Sequence, residues 1–237
     1  MAQSGGISRQ HHNSTLPKLV FWFLHFIAIT FCCWLVFFNG VGVIGSWFSF
    51  DWQLSDPGRA MILLACAVIY FLRHGVTLFY LLARRVDWSE ALGLAVFMAL
   101  FEIGLLIVGG GAFRAEAINF GLLDGFAIFL FASGSWLNTW SEVQRKLWKR
   151  DKRNEGKCYT IGLFRHSMHI NYFGDVVLFT GWSLLTQNML LLALPIIMAL
   201  MFAFIHIPTL DAYLGERYGN AFEKYAEKTK KLVPFVW

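Results

Sequence analysis

Five long apolar runs separated by short polar joints organise this 237-residue chain. A bilayer crossing needs about 20 apolar residues in a helix. No Asp, Glu, Lys or Arg occurs between Lys18 and Asp51, which predicts a first span from about Leu19 to Val43, followed by a Gly-rich, aromatic interfacial tail. A second span is predicted from Ala60 to Ala83, interrupted by Arg73-His74. A third runs from Ala91 to Phe113 and carries Glu102, and a fourth from Phe120 to Trp140 has Asp124 near its start. Residues 176–210 are again free of charge, too long for one ordinary span, with Thr186-Gln187-Asn188 in the middle. That pattern predicts a tight hairpin of two helices, Ile170 to Leu185 and Met189 to Ile207. After Pro208, Leu214, Tyr218, Phe222 and Tyr225 recur at helical spacing between charged residues, as in an amphipathic helix. Such a helix suits the membrane surface or a lid over the bundle, with Val233 to Trp237 as an apolar anchor.

Composition supports this reading. Only 15% of the residues are charged and 57% are hydrophobic, where a soluble domain carries about 25% charged. The expected fold is all-α: a polytopic membrane bundle of about six transmembrane helices plus a C-terminal amphipathic helix. Residues 1–18 form a polar tail without a convincing cleavable signal, 19–130 a substrate half, and 131–237 a cofactor-binding half. The net charge of +5 is unevenly spread: eight Lys or Arg fall in residues 143–165. By the excess of basic residues on the cytoplasmic side, this loop, Arg84-Arg85 and both termini lie inside. The host is an inner membrane in a bacterium or the endoplasmic reticulum in a eukaryote. The four cysteines lack zinc-ligand spacing and read as inert thiols, and no metal site is expected. Nothing points to nucleic acid or a protein partner; membrane lipids and a lipid or steroid-like substrate are the expected partners.

Ionisable groups at apolar boundaries carry the candidate chemistry, because membrane proteins keep them mostly for function. Asn138, Ser141, Glu142 and Arg145 recur at i, i+3, i+4 and i+7 and share one helix face. A carboxylate suits ribose hydroxyls and a guanidinium suits phosphate; a helix emerging into water is the plain alternative. Asn171 and Asp175 share another face, beside Tyr172, with His166 and His169 just before and Gly174 between. That glycine admits a planar ligand or another helix. Lys149 and Arg165 join Arg145 as phosphate candidates on charge and position. Inside the spans, Arg73, His74 and Glu102 form either an ion pair or a group that polarises a substrate. Asp124 and His206, near helix ends, are expected to reach interfacial water. Gly109-Gly110-Gly111 reads as a packing or exit element.

At Asn138-Thr139-Trp140-Ser141-Glu142, Tyr159-Thr160-Ile161-Gly162-Leu163-Phe164, Asn171-Tyr172-Phe173-Gly174-Asp175 and Leu232-Val233-Pro234-Phe235 the chain resembles the C-terminal domain of the steroid 5-alpha-reductase family. Asn171 to Asp175 with Trp182-Ser183-Leu184 is also similar to sterol reductases. The wider superfamily includes isoprenylcysteine and phospholipid methyltransferases, whose Arg-His-Pro-x-Tyr motif reads Met168-His169-Ile170-Asn171-Tyr172 here. The family's last-helix Arg and His are replaced by Ile207 and Asp211. The resemblance implies NADPH held by Asn138, Glu142, Asn171, Tyr172 and Asp175, and reduction of an enone-like carbon–carbon double bond. Glu102, Arg73 or His74 would then polarise the carbonyl. The alternatives are S-adenosylmethionine-dependent methylation of a lipid or prenylated group, and a non-catalytic lipid-binding protein.

Overall fold

A computed structural model describes residues 14–237; most of the polar N-terminal tail lies outside them. Every regular element among the described residues is helical. Helices long and apolar enough to cross a membrane are α1 (Thr15–Phe37), Pro57–Leu81, in which α3 (Pro57–Val76) continues as a π turn, α4 (Trp88–Gly109), and Met189–Tyr218, which contains α7 (Ala193–Met201) and α8 (Ile207–Tyr218). These four make it an apolar, membrane-type helical protein. The other two predicted spans are helices that do not meet the same measure of length and composition. α5 (Leu122–Arg150) is 29 residues long, but its second half carries the polar stripe. α6 (Ile170–Leu185) has 16 residues, short of a full crossing.

The described residues divide into two compact units, 14–128 with 181–192, and 129–180 with 193–237. In the first, α1, α3 and α4 bury Phe21, Cys32, Leu35, Leu63, Leu64, Leu105 and Leu106. α1 stops at Phe37, where the sequence pattern runs on. Asn39 takes a left-handed backbone (φ 53°) and starts the short α2 (Gly40–Trp47). Gly109 packs against Leu63 and Thr186, so the glycine triplet begins as a packing element.

The first unit holds a correction. Asp124 was expected to reach water, yet it is 3% exposed and pairs with Arg59, itself fully buried. Arg59 also bonds Asp56 Oδ2 (3.1 Å), donates to the carbonyls of Leu185 (2.9 Å) and Ile118 (3.1 Å), and lies over the Phe120 ring. Burial pushes the Asp56 carboxyl up. The backbone N–H groups of Arg59 and Ile118, with the Arg59 guanidinium, outweigh it and hold the pKa below the usual carboxylate range. A depressed folded pKa means that Asp56 contributes its full stability above its unfolded value, about 3.9, and loses it as pH falls through the lower folded value. Melting temperature should therefore drop below about pH 4, and Asp56→Asn should flatten that acid limb.

In the second unit the predicted final span does not stop at Ile207. A π turn (Phe202–His206) passes directly into α8, with Pro208 in its first turn. Proline donates no N–H and so leaves one bond of this continuous helix unmade. The amphipathic stretch is broken in two. Gly219 (φ 51°, ψ −134°) ends α8 in a backbone region that only glycine enters easily, and α9 (Asn220–Lys228) folds back. Its Phe222 and Tyr225 pack on Met168, with Cys158, Leu214 and Tyr218 alongside. α9 thus covers its own unit, and Phe235, Val236 and Trp237 remain exposed.

Candidate functional site

Two glycines bring α5 and α6 together. A Cβ on Gly134 would lie 2.3 Å from the Leu178 nitrogen and 2.5 Å from the Gly174 carbonyl oxygen. One on Gly174 would lie 2.6 Å from the Asn138 nitrogen. Gly174 therefore admits a helix, α5, of the two alternatives its sequence left open. The close crossing lets short polar side chains meet at the start of α6. Asn138 Nδ2 donates to the Asn171 carbonyl (3.0 Å), and Asn171 Nδ2 donates to Glu142 Oε1 (3.0 Å). Arg145 pairs with the other Glu142 oxygen and stands over the Phe164 ring. The predicted stripe is real up to this point, and it is helical to Arg150 where a loop was expected from residue 143. Ser141 is fully buried and donates back to the Asn138 carbonyl (2.9 Å), a local helix bond.

A framing turn lies beside this stripe. Gln144 Oε1 accepts from the Leu163 N–H (3.0 Å), and Tyr225 donates its hydroxyl to the Phe164 carbonyl (2.5 Å). Burial raises the Tyr225 pKa, so the phenol stays protonated and donating. The turn also grips the chain near its end. Met168 and His169 N–H groups donate to the carbonyls of Lys230 (2.8 Å) and Lys231 (3.0 Å), and Ser167 Oγ donates to the Leu232 carbonyl (2.7 Å).

Cations gather at the end of the stripe. Lys149 Nζ lies 3.4 Å from the Tyr218 hydroxyl, and Arg217 donates to the Tyr213 hydroxyl (2.5 Å) while facing the Tyr218 ring. The surrounding protein, then the charges of Arg145 and Arg217, hold the Lys149 pKa below the usual lysine value. Arg165 is exposed and donates to His166 Nε2 (3.1 Å), and His166 faces Phe235. His169 is buried. Its Nε2 lies 2.9 Å from Asp211 Oδ1, whose other oxygen is 3.8 Å from Lys231 Nζ. The His169 ring stacks on Tyr172, which stacks on Phe202. Asp175 is half-buried one turn beyond Asn171.

Glu102, Arg73 and His74 belong to the first unit. Glu102 pairs with neither Arg73 nor His74: its partner is His25 of α1, with Nε2 to Oε1 at 2.6 Å and both side chains fully buried. His74 packs 5.1 Å from the His25 ring centroid and 4.5 Å from that of Tyr70, and Arg73 lies over the Tyr70 ring. The sequence reading passed over His25, Gln144, Asp211 and Arg217 as site residues. His25 had one signal: it is the sole histidine in a run of 32 residues without a charge.

A family model described as "Protein of unknown function (DUF1295)" matches residues 94–229, more than half of the chain. A protein of Ustilaginoidea virens called a probable O-methyltransferase (ustE) is 35% identical over 98 residues, covering 40% of this chain. That stretch spans 34% of the relative, about a third of its length.

Proposed function

The chain belongs to the DUF1295 family, and from that premise we propose that it is a membrane enzyme that binds NADPH along Asn138, Glu142 and Asn171 and reduces a carbon–carbon double bond in a lipid or steroid-like substrate. The observation that carries this reading is the carboxylate–amide chain of Glu142, Asn171 and Asn138 beside the cations Arg145, Lys149 and Arg217. Ribose offers hydroxyl donors that suit Glu142. Phosphate oxygens suit a guanidinium and an ammonium. Arg145, Lys149 and Arg217 repel one another, and one carboxylate, Glu142, offsets them in part. A polyphosphate relieves that repulsion, so the donor set fits the cofactor. NADPH supplies hydride when bound; the protein's part is placement and electrostatics. Tyr172, Asp175, His166, His169 and Arg165 are proposed as further contacts around it. The basic residues place this end, and both termini, on the cytoplasmic side in the proposal. Residues 19–130 are proposed as the substrate half, where Glu102, Arg73 and His74 face an oxygen of the lipid.

A second reading is methylation of a lipid oxygen with S-adenosylmethionine, and the name of the Ustilaginoidea virens relative favours it. S-adenosylmethionine carries no phosphate, and its single carboxylate answers only part of the cationic cluster of Arg145, Lys149 and Arg217. Thermal melts of the detergent-purified chain with NADPH, NADH and S-adenosylmethionine separate the readings. A cofactor at 100 times its Kd stabilises by about 2.7 kcal/mol. NADPH is expected to shift the melt, and Glu142→Gln to weaken it about tenfold by removing a charged acceptor. A shift with S-adenosylmethionine alone moves the assignment to methyl transfer; no shift with any of the three removes the enzyme reading.

A further inference from the structure

Among the buried polar atoms of the first unit without a hydrogen-bond partner in the described residues, three fall in one cluster: His25 Nδ1, His74 Nδ1 and Glu102 Oε2. They belong to side chains packed together, with His25 joined to Glu102 and the two imidazoles 5.1 Å apart. Phe21 and Phe71 wall the group with apolar rings. Each orphaned group of this kind is costly to keep buried. Native proteins retain few, and three in one cluster need an explanation.

We propose that His25, His74 and Glu102 bind the hydroxyl head of an apolar, membrane-dissolved alcohol or phenol. The proton count selects the head group. If His25 Nε2–H donates to an ionised Glu102, Oε2 is left as an acceptor. If Glu102 instead donates through Oε1 to Nε2, Oε2 is the carbonyl oxygen and again accepts, while His25 Nδ1–H becomes a free donor. A neutral Glu102 protonated on Oε2 would call for an acceptor, which a hydroxyl also is; in the other two arrangements Oε2 calls for a donor. A ketone oxygen or an ether cannot supply one. A hydroxyl can donate to Oε2 and can also accept from an imidazole N–H. An ammonium also donates, but an added charge among apolar helices is expensive. The body of the ligand is apolar because Phe21, Tyr70 and Phe71 surround the cluster.

This deepens the reading above by naming the lipid's head group, and it rests on that reading only in calling the ligand a substrate. The test therefore omits cofactor. The full chain in lipid nanodiscs is titrated with 4-nonylphenol, with its methyl ether and with a ketone bearing the same alkyl chain, against empty nanodiscs, and the melt is followed. The phenol is expected to bind about ten- to a hundredfold tighter than the ether or the ketone, the equivalent of one lost buried hydrogen bond. Glu102→Gln keeps the shape and is expected to reduce that preference at least severalfold. His74→Asn gives a second variant should the first fold poorly. Equal binding of phenol and ether overturns the proposal, as does full preference in both variants or binding of none of the three, which leaves the cluster to buried water. The cofactor melts stand apart, so NADPH binding with no phenol preference sinks this inference and leaves the reductase reading intact.

Discussion

Replacing Arg59 by methionine is expected to destabilise the protein by about 3–5 kcal/mol, the usual penalty for removing one partner from a buried ion cluster. Methionine keeps most of the length and the apolar stem. It leaves Asp56 and Asp124, 3% exposed each, without the guanidinium that joins them. Arg114 still reaches Asp56 at 2.9 Å, and Gln187 still donates to Asp124 at 2.9 Å, which sets the loss below that of two bare charges. Two backbone acceptors, at Leu185 and Ile118, lose their donor as well. The check is the thermal melt of the variant in detergent. Adding Asp56→Asn and Asp124→Asn to Arg59→Met should recover a large part of the loss, because neutral amides can bond each other. If the single variant melts like the parent, the cluster is not holding the ends of α3, α5 and α6.

Gly134→Ala is expected to damage both stability and cofactor binding. The new methyl would sit 2.3 Å from a backbone nitrogen and 2.5 Å from a carbonyl oxygen, neither of which can swing aside. The helices must separate, at about 1–3 kcal/mol for overpacking and more if they cannot. Separation also draws Asn171 away from Glu142, so NADPH affinity should fall at least tenfold on the proposed reading. Gly125→Ala on the same helix is the control. Nothing lies within 4 Å of its would-be Cβ, and alanine has the better helix propensity by about 1 kcal/mol. Equal melts and equal NADPH binding for the two variants would refute the close-crossing account.

Helix α6 was legible to its limits. Its polar start at Asn171 and the Thr186-Gln187-Asn188 joint bound the apolar run from both sides. The stripe from Asn138 to Arg145 was legible as a face because helical spacing alone fixes it. What it faces was not: Gly174 signalled a close approach by a ligand or a helix without saying which, and Gly134 gave no sign of being its partner. Asp124 was misread for the same reason: its partner Arg59 lies 65 residues away. His25 escaped because a histidine does not interrupt an apolar run as a carboxylate does, and its meaning comes from Glu102, 77 residues on. Gly219 stood in plain view, but the apolar repeat continues on either side of it and hides the break.

The turn around Phe164 is closed by bonds from Tyr225, Lys230, Lys231 and Leu232, which span 61 to 65 residues of sequence. Links between such distant segments carry a large entropic debt and form after local helices. This framing turn is therefore a late-assembling and early-loosening part of the molecule, and opening there frees the stripe on α5 while its helix stays wound.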